Sequence, residues 1–141
     1  MKNFPAFIWE ADVVVCGAGT AGAVAALAAA DAGAKVMVVE QFGGPGGSSS
    51  LGQVTPLMST HIPGDCRGSY LAEEIEKRAA ELGASTGTAT ANFDPLMLSF
   101  VLEEMLSQRG VEMLYHTVLT DVNVKDGHIE SLVVAVRRDF A

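Results

Sequence analysis

Ala11-Asp12-Val13-Val14-Val15-Cys16-Gly17-Ala18-Gly19-Thr20-Ala21-Gly22 is the stretch that decides how this chain folds. Its first half, apart from Asp12, is short, apolar and β-branched, the pattern of a strand buried on both faces of a parallel sheet. Cys16, inside that run, reads as a small buried core residue rather than a reactive thiol. The glycines follow at once, and an alanine-rich stretch then runs to Ala32. Alanine is the best helix former, and its small side chain lets a helix lie close to a sheet. Gly33 stands where a helix C-terminal glycine belongs. Lys35–Val39 (KVMVV) is then a second buried strand, closed by Glu40. Strand, tight turn, helix and strand in this order make a βαβ unit.

Beyond Glu40 the segment from Gln41 to Ser50 (QFGGPGGSSS) continues neither strand nor helix. Ser69–Leu82 is amphipathic, with Leu71, Ile75, Ala79 and Leu82 on one face, and Gly83 ends it. A further helix opens with Asp94 as N-cap and Pro95 at the first helical position. It runs to Gln108–Arg109, before Gly110, with Leu98, Val101, Leu102, Met105 and Leu106 facing inward. Val111–Tyr115 reads as a third strand. Val118–Val124 and His128–Val136 read as an antiparallel pair joined at Asp126-Gly127, a hairpin signal.

Gly17, Gly19 and Gly22 form G-x-G-x-x-G between a strand and a helix, with an acid closing the next strand. The first glycine permits the tight turn, the second lets backbone approach a pyrophosphate, and the third lets helix and strand pack closely. The helix start, with Ala18, Thr20 and Ala21 among the loop residues, offers unpaired N–H groups and a positive dipole end to phosphates. Glu40 is placed to accept hydrogen bonds from an adenosine ribose, and Gln41 adjoins it. Ala23 and Val24 follow Gly22 where a nucleotide-hydrolysing P-loop would need Lys and then Ser or Thr, so that chemistry is excluded. The motif serves both FAD and NAD(P).

Other classes fall away on composition. With 141 residues, 49% of them hydrophobic and 18% charged, the chain is of one-domain length and not disordered. A net charge of −8 leaves no basic stripe for nucleic acid. No apolar run spans a membrane, since Asp31 interrupts Ala21–Ala34, and no signal peptide opens the chain. A cytoplasmic, reducing setting is the expectation, and Cys16 and Cys66 do not make a disulfide framework. His61 and Cys66 are too few for a zinc site, so no metal is expected. Ser48, Ser49 and Ser50 lack a nucleophile elbow or a base and read as a loop that contacts the cofactor. His116 and His128 read as structural or solvated.

The stretch from Asp12 to Ser50, the helix opened by Phe93-Asp94-Pro95, and the segment Val111–Val134 together resemble FAD-dependent oxidoreductases of the glutathione-reductase structural type. Phe42-Gly43-Gly44-Pro45-Gly46-Gly47 is similar to the aromatic-Gly-x-x-Gly-Gly loop of a bacterial branch of that family. The resemblance covers about residues 10–136. It implies an α/β, Rossmann-like fold with a parallel sheet and a C-terminal β-hairpin, with FAD as cofactor and a small-molecule substrate. It also implies that Gly46, Gly47 and Ser48 touch the diphosphate and ribityl chain, and that Val118 meets the adenine through its backbone. His61 reads as a loop histidine rather than one facing the flavin.

Such enzymes continue with another parallel strand and a substrate domain. Residues 1–141 are therefore expected to form one incomplete domain with an insertion at about 51–92. The open sheet position would be filled by a missing C-terminal segment or a second copy. The alternatives are an NAD(P)-binding dehydrogenase domain and a non-catalytic dinucleotide-binding module or inactive fragment. No catalytic acid or base is assigned.

Overall fold

A computed structural model describes residues 8–55, 70–85 and 92–137. Strand β1 (Val13–Cys16) leads through the glycine loop into helix α1 (Thr20–Asp31), which returns the chain to strand β2 (Val36–Val39). β1 and β2 pair in parallel, with Val13 opposite Val36 and Cys16 opposite Val39. Strand β3 (Glu112–Leu114) pairs in parallel with the other edge of β2. The sheet order is therefore β1-β2-β3, with β2 central, and all four β2 residues are buried. This is the expected Rossmann-like βαβ arrangement with a parallel sheet.

Side chains alternate across a strand, and the two faces of β2 have different tasks. Val36 and Val38 enter the main core with Leu27 of α1 and Val111. Val39, on the other face, lines an open cleft. β1 departs from its expected double-sided burial: Val13 and Cys16 are exposed, and Val14 and Val15 only half-buried. Among the described residues β1 is an edge strand with β2 alone beside it, so an apolar run that reads as central is flanked on one side only. Cys16 is consequently an exposed thiol and not the expected core residue.

Helices α2 (Tyr70–Glu81) and α3 (Pro95–Gln108) pack with α1. The Asp94 carboxylate caps α3 by accepting from the N–H groups of Leu96 and Met97 at 2.9 and 3.0 Å. Leu98, Val101, Leu102, Met105 and Leu106 are all buried, as the periodicity predicts. On α2, Leu71 and Ala79 are buried and Ile75 packs against the core from a half-buried position. Leu82 lies past the helix end, where the chain turns at Gly83, and it is exposed. α2 lies within the expected insertion at about 51–92 and contributes to the core. His61 and Cys66 lie outside the described residues.

An ion-pair node locks the helices together. Asp31 ends α1, where the helix dipole disfavours a carboxylate, and Arg109 just beyond α3 offsets this with a 2.7 Å pair from Nε. The same guanidinium reaches Glu74 of α2 at 2.8 Å. The hydrogen bond from Arg109 holds the Asp31 carboxyl below the usual carboxylate range. After β3 the chain forms the hairpin of β4 (Thr117–Lys125) and β5 (His128–Val136). Asp126 and Gly127 both have positive φ at its turn, the geometry for which Asp-Gly is favoured. No helix among the described residues is long and apolar enough to cross a membrane.

Gly22 is where helix and strand come closest. A Cβ there would overlap the Gly17 carbonyl oxygen and press on Val15. At Gly19 a Cβ meets nothing within 4 Å. Gly22→Ala is therefore expected to cost at least about 3 kcal/mol of stability by overpacking against backbone. Gly19→Ala is expected to cost less than about 1 kcal/mol. Urea melts of the two variants beside the parent check the contrast.

Candidate functional site

The site is built from two glycine loops and the carboxyl ends of the parallel strands. In the first loop Gly17 turns the chain at φ +100, where only glycine is unstrained, and its N–H donates to the Val39 carbonyl at 2.7 Å. Gly19 is the N-cap of α1 and supplies no side-chain cap. The first-turn N–H groups of Thr20, Ala21 and Gly22 are therefore left without a capping side chain, an arrangement suited to an anion. The space in front of Gly19 is open, as close approach of a phosphate requires.

The second loop folds back onto the first. The Gly46 N–H donates to the Ala18 carbonyl at 2.7 Å, and Gly46 bridges to Gly19 in parallel. Gly47 comes so close that a Cβ on it would sit 2.8 Å from Gly19 Cα. A short 3-10 turn, Gly47–Ser49, then begins beside the start of α1. The Thr20 hydroxyl donates to the Gly46 carbonyl at 3.2 Å and lies 3.3 Å from both Ser48 Oγ and Ser49 Oγ. Buried Ser50 and Ser99 of α3 both donate to the Pro45 carbonyl, at 2.7 and 2.8 Å, and hold the loop from behind. The result is a patch of backbone N–H groups and hydroxyls around one helix N-terminus.

Next to it lies a shallow cleft of about 250 Å³, lined by Cys16, Gly17, Val39, Glu40, Gln41, Thr117, Val118 and Leu119. Gly17 belongs to both cleft and glycine loop. Cys16 and Val39 are the last residues of β1 and β2, so the cleft stands at the carboxyl ends of the strands, where α/β sheets bind ligands. Glu40 is 6% exposed. Its Oε2 accepts from the Ala18 N–H at 2.6 Å and its Oε1 from the Phe42 N–H at 2.8 Å. Its own N–H donates to the Leu114 carbonyl, and its carbonyl accepts from the Thr117 N–H, each at 2.9 Å.

Every residue that the sequence reading assigned to cofactor binding falls in this region. Gly17, Gly19, Thr20, Ala21, Gly22, Gly46, Gly47 and Ser48 gather around the helix start, and Glu40, Gln41 and Val118 line the cleft. Ala18 differs in kind. It is buried, and both of its peptide groups are spent on protein partners, Glu40 and Gly46. Sequence reasoning missed Cys16, Thr117 and Leu119 in the cleft. The position of Cys16 at a strand end beside the first glycine was the available signal. Among the described residues no group of three or more His, Cys, Asp or Glu side chains is placed to hold a metal ion.

The model of the family described as FAD dependent oxidoreductase matches residues 12–140. No curated protein matches significantly in sequence. Among solved structures the chain resembles THI4 of Thermovibrio ammonificans, with a TM-score of 0.62 and 19% identity over 90% of this chain and 47% of that one. Glycine oxidase from Bacillus cereus ATCC 14579 gives a TM-score of 0.62 and 14% identity over 89% of this chain and 52% of that one. L-amino acid deaminase from Proteus vulgaris, with its specific insertion sequence deleted, gives a TM-score of 0.60 and 18% identity, covering 94% and 51%. The chain thus spans about half the length of these proteins. It belongs to the FAD-dependent oxidoreductases, and its cofactor is FAD.

Proposed function

We propose that this chain supplies the adenosine- and diphosphate-binding part of the FAD site of an oxidoreductase acting on a small-molecule substrate. The observation that carries the reading is the open space in front of Gly19, at an uncapped helix start over which a second glycine loop has folded. The first-turn N–H groups of α1 and the Ser48 hydroxyl would hold the diphosphate. The cleft at Glu40, Gln41 and Val118 would take the adenosine, with the ribose hydroxyls donating to lone pairs of Glu40 that Ala18 and Phe42 leave free. Bound FAD supplies transfer of a hydride or electron pair between substrate and acceptor. The residues described here bind and orient it, and they place no acid or base for the reaction.

Two expected outcomes test the reading. The purified chain, titrated with FAD, NAD⁺ and NADP⁺ in equilibrium dialysis, should retain FAD and show flavin absorption, with FAD the tightest ligand. Preference for either nicotinamide nucleotide would contradict it. Gly19→Val should raise the FAD dissociation constant at least about 100-fold, as the loss of two or so N–H···phosphate bonds implies. Its melting temperature should stay near that of the parent, because the new side chain enters open space. Binding at the parent affinity would remove the diphosphate from this loop.

A further inference from the structure

We infer that Glu40 is a positioning residue for the diphosphate site, and not only an acceptor for the ribose. The inference rests on the FAD reading above and deepens it. A carboxylate kept solely for a ligand would wait in the cleft with its oxygens free. Here each oxygen is engaged by a backbone N–H, Ala18 on Oε2 and Phe42 on Oε1, in a nearly fully buried setting. Those two amides belong to the two loops that must meet in front of α1. Ala18 stands between Gly17 and Gly19. Phe42 opens the segment that returns through Gly46, whose N–H closes on the Ala18 carbonyl.

A ring results: Glu40 holds Ala18 and Phe42, and Ala18 holds Gly46 at the far end of the loop that Phe42 begins. The ring sets where Gly47 lies against Gly19 and brings Ser48 and Ser49 beside Thr20. The cleft residue therefore acts on phosphate-binding groups that it does not touch. One part of the cofactor site is preorganised by the side chain that serves the other.

Glu40→Gln separates the two roles by the sign of an effect. A carboxamide has one acceptor oxygen, and its NH₂ opposes either the Ala18 or the Phe42 N–H, so one side of the ring opens. NMR shift titrations of the full chain with inorganic pyrophosphate, which has no ribose, and with adenosine, which has no phosphate, read each part alone. Removing a negative charge near an anion site would by charge alone tighten pyrophosphate. Positioning predicts the reverse, a pyrophosphate affinity lower by about tenfold, the scale of one charge-assisted hydrogen bond. Unchanged or tighter pyrophosphate with weaker adenosine would reduce Glu40 to a ribose acceptor and overturn the inference.

Amide hydrogen exchange on the parent chain decides the matter even if the variant does not fold. The Ala18 and Phe42 N–H groups should exchange at least about 100-fold more slowly than in an unstructured chain. Exchange at the unstructured rate would overturn the inference. Failure of the parent to bind FAD would instead count against the proposed function, since the exchange measurement needs no cofactor.

Discussion

The Glu40 residue holds four separate pieces of the chain at one point. Through its backbone it joins β2 to Leu114 at the end of β3 and to Thr117 at the base of the hairpin. Through its carboxylate it holds the first glycine loop at Ala18 and the second at Phe42. Hydrogen bonds to a charged acceptor each contribute about 1.5–3 kcal/mol, and a buried N–H left without a partner costs about 1–3 kcal/mol. The position therefore tolerates no apolar replacement without releasing donors in a desolvated place. Sheet, hairpin and both loops take their relative positions from it.

The glycines complete what the carboxylate begins. Gly22 lets α1 lie against Gly17 and Val15, Gly47 lets the second loop lie against Gly19, and Gly46 takes a left-handed turn between them. Gly22 and Gly47 remove a side chain where two backbones must meet, and a Cβ on Gly46 would strike the Ser50 side chain. The three places are adjacent in space, so a cluster of glycines in sequence becomes a surface made largely of peptide groups. Such a surface offers N–H donors without competing side chains, and the dipole of α1 adds its positive end. The chain carries −8 overall, yet no acidic residue stands in the first turn of α1.

Much of this was legible in the sequence where the signal is local. The Asp94 cap, the inward face of α3 and the Asp126-Gly127 turn follow from spacing and residue type within one element, and the structure has each in place. The three glycines and the closing acid were legible as a motif. What was not legible depends on contacts between distant segments. The apolar run of β1 reads as central, yet its burial is decided by how many strands lie beside it, and Cys16 is exposed for that reason. The return of Gly46 onto Ala18 and the hold of Glu40 on Ala18 join residues more than twenty positions apart. On α2 the inward placing of Leu71 and Ala79 was legible from helical spacing, and only Leu82, past the helix end, departs from it.

Family membership gives this chain FAD as its cofactor. The most direct measurement follows backbone amide chemical shifts as FAD is added to the isotopically labelled chain. The largest changes should fall at Gly17, Gly19, Thr20, Ala21, Gly47, Ser48 and Val118, with the hairpin tip at Asp126 and Gly127 unmoved. Shifts concentrated on α2 or the hairpin tip, with the two glycine loops unchanged, would contradict the account.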